Sequence, residues 1–169
     1  MSLTFSAVAQ STIGQMFTAL DGILAKAAEH AEADKIEESA LLDARLYPDM
    51  FPMSRQVQIA CDIAARGLSR LAGVEPPSFP DEEKTFEELR ARIKKTKTVI
   101  DDLPAEAIDA DPDKDITFPV GPETMTLKRQ AFLLNFVLPN VYFHVTTTYD
   151  LLRHCGVALG KRDFLAVSP

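Results

Sequence analysis

The sequence predicts a single all-α domain, a four-helix bundle with a small β-hairpin between the third and fourth helices. A chain of 169 residues has the length of one domain, and its 46% hydrophobic composition can supply one core. Four long stretches repeat apolar residues at spacings of three and four, which is the pattern of amphipathic helices. No repeat or low-complexity run divides the chain, so we expect one domain over residues 1–169.

The first two helices have clear boundary signals. We predict helix one over about Thr4–His30, because an apolar stripe runs along it through Met16, Leu20, Ile23, Leu24 and Ala27. Pro48 and Pro52 then prevent a continuous helix, since proline has no backbone N–H to donate. Helix two is expected to begin near Pro52, which a first helical turn tolerates, and to end at Gly73.

Helix three is predicted to begin at Thr85 and to reach about Leu103. Thr85 and Glu88 have the capping-box spacing, in which each side chain satisfies a free backbone donor of the other residue. We expect the basic residues of this helix to form a solvated outer face; they are Arg90, Arg92, Lys94, Lys95 and Lys97.

A hairpin and a last, mostly buried helix complete the prediction. Apolar residues alternate on both sides of Gly121 and Pro122, which predicts two short strands joined by a turn. Helix four is expected over about Arg129–Cys155, because apolar residues surround much of its circumference. Pro139 lies inside this segment and should bend the helix or divide it in two.

Charge and composition exclude several classes of function. The chain carries 18 Lys and Arg against 25 Asp and Glu, and a net charge of −7 has the wrong sign for coating a phosphate backbone. Neither a membrane-spanning stretch nor a signal-peptide pattern is apparent, so we expect a cytoplasmic protein without nucleic-acid or membrane partners. Cys61 and Cys155 lie far apart and are expected to be free thiols.

His144 is the best-placed reactive side chain. It lies on the most buried helix, and Asn140, one turn earlier, shares its face. A neutral imidazole there could bind a metal or act as a general base, with Thr148 or a backbone carbonyl as the partner of its other nitrogen. The alternative is a hydrogen-bonded core histidine, which the spacing favours because one histidine supplies only one ligand. No common hydrolase or dehydrogenase motif is present.

Several stretches together resemble an uncharacterised bacterial family within the DinB/YfiT-like superfamily. They are Pro48-Asp49-Met50-Phe51-Pro52, Arg55-Gln56-Val57-Gln58-Ile59-Ala60-Cys61-Asp62, Leu138-Pro139-Asn140-Val141-Tyr142-Phe143-His144-Val145-Thr146-Thr147 and Gly160-Lys161-Arg162-Asp163-Phe164-Leu165. The resemblance covers nearly the whole chain. It implies a four-helix bundle that is often dimeric, in a superfamily of proposed metalloenzymes.

The resemblance also implies where a metal site would be. In better-studied members, which include thiol-dependent transferases and a maleylpyruvate isomerase, three histidines bind a divalent metal. Alignment on helix four places His144 and Asn140 on two of these positions, and the helix-two position falls near Gln56. Two of the three ligands would then be amides, which are poor partners for zinc or nickel. We therefore expect a degenerate site. The favoured expectation is that it holds no cofactor, and the alternative is a bound Zn²⁺, Ni²⁺ or Mn²⁺.

Two hypotheses of function follow. The first is a metal-free module that binds a small ligand or another protein, forms a homodimer, and uses Gln56, Asn140, His144 and Thr148 as its ligand-binding residues. The second is a metal-dependent small-molecule enzyme, such as a thiol-linked transferase, in which a site around His144 activates a nucleophile. The sequence leaves open whether the protein is an enzyme.

Overall fold

The computed structural model of the chain describes residues 3–167 and is mostly helical. Its helices are α1 (Phe5–Asp34), α2 (Glu38–Leu42), α3 (Met53–Ala72), α4 (Phe86–Asp101), α5 (Ala105–Ile108), α6 (Arg129–Ala131), a π-helical segment (Phe132–Val137), α7 (Leu138–His154) and α8 (Lys161–Leu165). A hairpin, β1 (Asp115–Val120) and β2 (Glu123–Lys128), interrupts them. Within residues 3–167, no helix is long and apolar enough to cross a membrane.

Helix α1 begins where the sequence predicts and ends four residues later than predicted. The Thr4 hydroxyl accepts a hydrogen bond from the Ala7 amide at 3.2 Å, which caps the first turn. The helix continues past His30 because the extra turn is itself stabilised: His30 pairs with Asp34 one turn later at 3.2 Å. It ends at Lys35, which has a left-handed backbone with φ of 55°.

Helices α3 and α4 follow their sequence signals closely. Helix α3 begins directly after Pro52 and ends at Gly73, whose φ of 72° is accessible to glycine without a Cβ penalty. The capping box that starts α4 is present in both directions, with Thr85 and Glu88 each accepting from the other's backbone amide at 3.1 Å. Helix α4 ends at Asp101, two residues before the predicted Leu103.

The predicted hairpin is also present. Strands β1 and β2 pair antiparallel, with Phe118 opposite Met125, and Gly121 occupies the turn with φ of 59°. Ile116 and Phe118 point into the protein and are buried, while the face of β2 is mostly exposed. The hairpin therefore contributes one apolar face to the core rather than a separate layer.

The last predicted helix is divided. A π-helical segment separates short α6 from α7, and the Leu138 amide donates to the Leu133 carbonyl five residues earlier. Pro139 stands at the start of α7, where its missing N–H costs least. The division that Pro139 predicts is thus observed, with the irregular turn placed just before the proline.

The core lies between the four long helices. Helix α3 contacts both α4 and α7, and α1 packs against the same two helices. Gly67 of α3 faces Val137 at the end of the π-helical segment, and a Cβ on this glycine would lie 2.7 Å from the Val137 Cγ2 atom. This close approach brings α3 and the start of α7 together, which is where the candidate site residues lie.

Candidate functional site

Gln56 of α3 and His144 of α7 form a buried polar pair at the interface of these helices. The His144 Nδ1 atom lies 2.7 Å from the Gln56 Oε1 atom. The Gln56 Nε2 atom donates a second hydrogen bond, at 3.0 Å, to the carbonyl of Phe51 in the connection before α3. Gln56 is 2% and His144 is 9% exposed. Two residues 88 positions apart in the sequence therefore meet in one hydrogen-bonded unit.

The partners of Gln56 determine the protonation of the histidine ring. Since the Gln56 nitrogen donates to the Phe51 carbonyl, its oxygen faces His144 and must accept from Nδ1–H. Burial, and secondarily the positive charge of Arg55, lowers the pKa of His144 to about 4. The ring is therefore neutral at pH 7, with its lone pair on Nε2. The hydrogen bond that the His144 ring makes within residues 3–167 is through Nδ1, and Nε2 takes no part in it.

Asn140 and Thr148 bond to their own helical segment. The Asn140 amide nitrogen donates to the Phe136 carbonyl at 2.7 Å, and the Thr148 hydroxyl donates to the His144 carbonyl at 2.9 Å. Both are bonds from a side chain to the carbonyl four residues earlier, a common way for buried polar side chains to be satisfied in a helix. Among the four sequence-predicted residues, Gln56 and His144 are the pair whose side chains are hydrogen-bonded to each other within residues 3–167.

This donor set does not fit a resident divalent metal. Gln56 Oε1 accepts the imidazole proton, and the Asn140 amide nitrogen donates to the Phe136 carbonyl, which leaves only its neutral amide oxygen, a poor ligand for zinc or nickel. His144 Nε2 remains as one imidazole ligand, whereas a zinc site needs three or four protein ligands. In the described part of the chain, residues 3–167, no three His, Cys, Asp or Glu side chains are grouped as a metal would require.

An open apolar groove adjoins the pair on the surface of α7. It is lined by Leu46, Met50, Pro139, Tyr142, Phe143, Thr146, Thr147 and Asp150 and has a volume of about 410 Å³. Phe143 packs its ring edge-on against the His144 imidazole, with 5.2 Å between centroids. The lining residue Phe143 is 57% exposed, and Tyr47 and Phe51, which follow the lining residues Leu46 and Met50 in the sequence, are 67% and 55% exposed. The groove and these rings form an apolar surface patch beside His144.

A buried charge network on α3 and α4 was missed by the sequence reasoning. Arg92 was expected on a solvated face, and this was wrong: its guanidinium is buried and bonds to Asp62 at 2.7 Å and to Glu83 at 2.9 Å. The signal was available, because Arg92 falls at helical spacing among Leu89, Ile93 and Thr96, which are all buried. The adjacent thiol of Cys61 is inert, since burial raises its pKa to about 12.

Comparisons with known proteins agree with the fold and the predicted resemblance. The family model described as "Domain of unknown function (DUF1993)" matches residues 6–165. The crystal structure of a DinB family member protein from Shewanella denitrificans is 36% identical, with a TM-score of 0.87 over 98% of this chain and 95% of that chain. No curated protein matches the chain.

Proposed function

The chain belongs to the DUF1993 family of uncharacterised DinB-like proteins, and from this premise we propose that it is a metal-free binding module built on a four-helix bundle. The observation that carries the proposal is the hydrogen bond between His144 Nδ1 and Gln56 Oε1 at 2.7 Å. The imidazole proton takes one lone pair of Gln56 Oε1, the oxygen that a metal would need from this residue, and the bond fixes the ring with Nε2 as an acceptor. A neutral acceptor at the edge of an apolar surface suits binding rather than catalysis of a metal-dependent reaction.

The ligand that suits this surface is largely apolar and has one hydrogen-bond donor. The donor would bond to His144 Nε2, and the apolar body would cover Phe143 and the groove beside it. Thr148 and Asn140 would support the site by holding α7 in register, since both bond to carbonyls of the same helical run.

A second copy of the chain is the protein partner that we propose for the apolar patch. Exposed aromatic side chains are enriched in protein interfaces; Phe143 and Tyr142 line the groove, and exposed Tyr47 and Phe51 follow its lining residues Leu46 and Met50 in the sequence. The groove has Asp150 as its one charged lining residue, so two copies could meet across it without burying many charges. The proposed homodimer would therefore use the same surface as the proposed ligand site.

Elemental analysis of the untagged protein tests the absence of a metal. Wild type and His144→Ala are each incubated with Zn²⁺, Ni²⁺, Mn²⁺ or Fe²⁺, desalted and measured. We expect far less than one metal per chain in both proteins. A near-stoichiometric metal that is lost in His144→Ala would overturn the proposal and favour a metal-dependent enzyme, for which a screen of thiol-transfer reactions would be the next step.

Sedimentation velocity tests the homodimer with a matched pair of variants. Leu46 and Val74 are both 42% exposed, but only Leu46 lines the groove. We expect Leu46→Asp to shift the protein to monomer, because it buries an unpaired charge at the interface, and Val74→Asp to leave the dimer intact. A wild-type monomer, or equal effects of the two variants, would refute this interface.

A further inference from the structure

A second groove lies on the other side of α3, between that helix, strand β1 and the π-helical segment. Its volume is about 200 Å³. Its floor is aromatic: Phe118 lies 4.6 Å from Phe132 and 4.5 Å from Phe136, measured between ring centroids. None of Gln56, Asn140, His144 or Thr148 lines it, so it is distinct from the site described above.

The rim of this groove carries three arginines of α3, and shared carboxylates partly neutralise two of them. Arg55 pairs with Asp81 and also donates to the Gln58 side chain. Arg66 lies 3.2 Å from the Asp62 carboxylate. Asp62 also bonds to buried Arg92, so one carboxylate is shared by two guanidinium groups and leaves Arg66 only partly compensated.

Arg70 is the arginine without a carboxylate partner. Within residues 3–167 it forms no ion pair, and its Nη1 atom reaches only the Arg66 carbonyl, at 3.4 Å. Partial burial, and then the neighbouring positive charge of Arg66, lowers its pKa, while the more distant carboxylate of Glu75 partly opposes this shift. Two cations one turn apart at the mouth of a groove repel each other, and a bound anion would relieve that repulsion. The lining of the groove holds three arginines and one carboxylate, that of Asp62, in a chain with a net charge of −7.

The size of the groove limits the organic part of a ligand to about one ring. A cavity of roughly 150 Å³ accommodates benzene, and this groove of about 200 Å³ leaves room for one short substituent. The phenylalanine floor favours an aromatic ring, because offset or edge-on packing adds to the burial of apolar area. The rim favours a singly charged group over a phosphate, since the Asp62 carboxylate lies on the same rim and would repel a dianion.

We propose that this groove binds a monocyclic aromatic carboxylate. The ring packs on Phe118, Phe132 and Phe136, and the carboxylate accepts hydrogen bonds from the guanidinium groups of Arg70 and Arg66. The planar fork of arginine matches the two oxygens of a carboxylate, which a lysine at this position would not.

Titration followed by ¹H–¹⁵N NMR tests the proposal with benzoate and phenylacetate at low salt. The neutral analogue benzamide and the ringless analogue acetate are the comparison ligands. We expect saturable binding of the aromatic acids in the millimolar range or tighter, with amide shifts at Ile59, Ile63 and Phe136, and binding of both analogues weaker by about tenfold or more.

Two arginine variants identify the anchor. Arg70→Gln is expected to weaken the affinity for benzoate by about tenfold, because one charged hydrogen-bonding partner is lost. Arg70→Glu is expected to abolish benzoate binding. Arg153→Gln is the control, because it removes one exposed positive charge from α7 away from the groove and should leave the affinity within about twofold. Circular dichroism confirms that each variant is folded.

Three results would overturn the proposal. The first is that neither aromatic acid binds saturably. The second is that wild type and Arg70→Glu bind the acids with equal affinity. The third is that the amide chemical-shift changes centre on His144 instead of on α3 and the π-helical segment. The proposed function at His144 is tested by metal content and sedimentation, so its failure and the failure of this site are separate outcomes.

Discussion

Removal of the Arg92 side chain should destabilise the protein far more than removal of a neighbouring arginine on the same helix. The guanidinium bonds to Asp62 at 2.7 Å, Glu83 at 2.9 Å and Asp81 at 3.0 Å, and it also donates to the Pro80 carbonyl at 2.9 Å. In Arg92→Met the aliphatic part of the side chain is retained, but Asp62 and Glu83 lose their buried counter-charge. Breaking a buried pair from one side costs about 3–5 kcal/mol.

Some compensation places the expected loss toward the lower end of this range. Asp62 retains Arg66 at 3.2 Å, and Glu83 retains the Gln58 amide at 2.9 Å. We therefore expect Arg92→Met to lower the free energy of unfolding by about 3 kcal/mol. Urea denaturation followed by circular dichroism at pH 7 measures this loss of unfolding free energy. It appears as a lower urea concentration at the unfolding midpoint, with an unchanged dependence of the free energy on urea concentration.

Arg90→Met is the matched control. Arg90 makes a bidentate pair with Asp21, at 2.8 and 3.0 Å, but both side chains are about one-third exposed. Such a pair contributes about 1 kcal/mol or less. The reasoning is refuted if the two variants lose equal stability, or if Arg92→Met loses less than Arg90→Met, because burial would then not be what makes the Arg92 network strong.

Three further outcomes are expected. His144 binds a proton near pH 6.5 in the unfolded chain but only near pH 4 in the folded chain. The free energy of unfolding should therefore fall by up to about 3 kcal/mol as the pH is lowered across this interval. In urea titrations, His144→Gln should remove that part of the pH dependence. Gly67→Ala should cost roughly 1–2 kcal/mol, since its Cβ would lie 2.7 Å from Val137, and Val137→Ala in the same chain should recover most of the loss. A thiol reagent should modify Cys155 before Cys61 in the folded protein, because Cys61 is fully buried; mass spectrometry that finds Cys61 modified first would contradict this.

The parts of the fold that the sequence predicts well are those governed by local chemistry. Thr85 and Glu88 form their capping box within one turn, Gly73 ends α3 through its own backbone freedom, and Gly121 supplies the hairpin turn. Each feature depends on neighbours a few residues away, and the alternation of Ile116 and Phe118 is visible in the same way. Local patterns were therefore sufficient for the ends of α3, the start of α4 and the hairpin.

The candidate site was predicted only in part, because its geometry depends on contacts between distant elements. His144 and Gln56 were singled out by the resemblance, yet their hydrogen bond joins residues 88 positions apart and depends on how α3 and α7 are rotated. Asn140 shares the face of His144 by spacing, but its amide nitrogen donates to the Phe136 carbonyl of its own helical run. Helical spacing identifies which side chains share a helix face, but it does not identify the hydrogen-bond partner of each side chain.

The π-helical segment sets which faces of the last helical run meet their neighbours. Its backbone bonds span five residues, one more than those of an α-helix, so the side chains before Leu138 are rotated relative to those after it. Phe132 and Phe136 consequently both contact Phe118 of the hairpin, while His144, about two turns later, reaches Gln56 of α3. Pro139 favours this arrangement, because it supplies no N–H to a continuous α-helical ladder. One irregular turn thus lets a single helical run form the floor of the arginine-rimmed groove and also hold the buried histidine. An α-helical period read from the sequence does not predict this change of face.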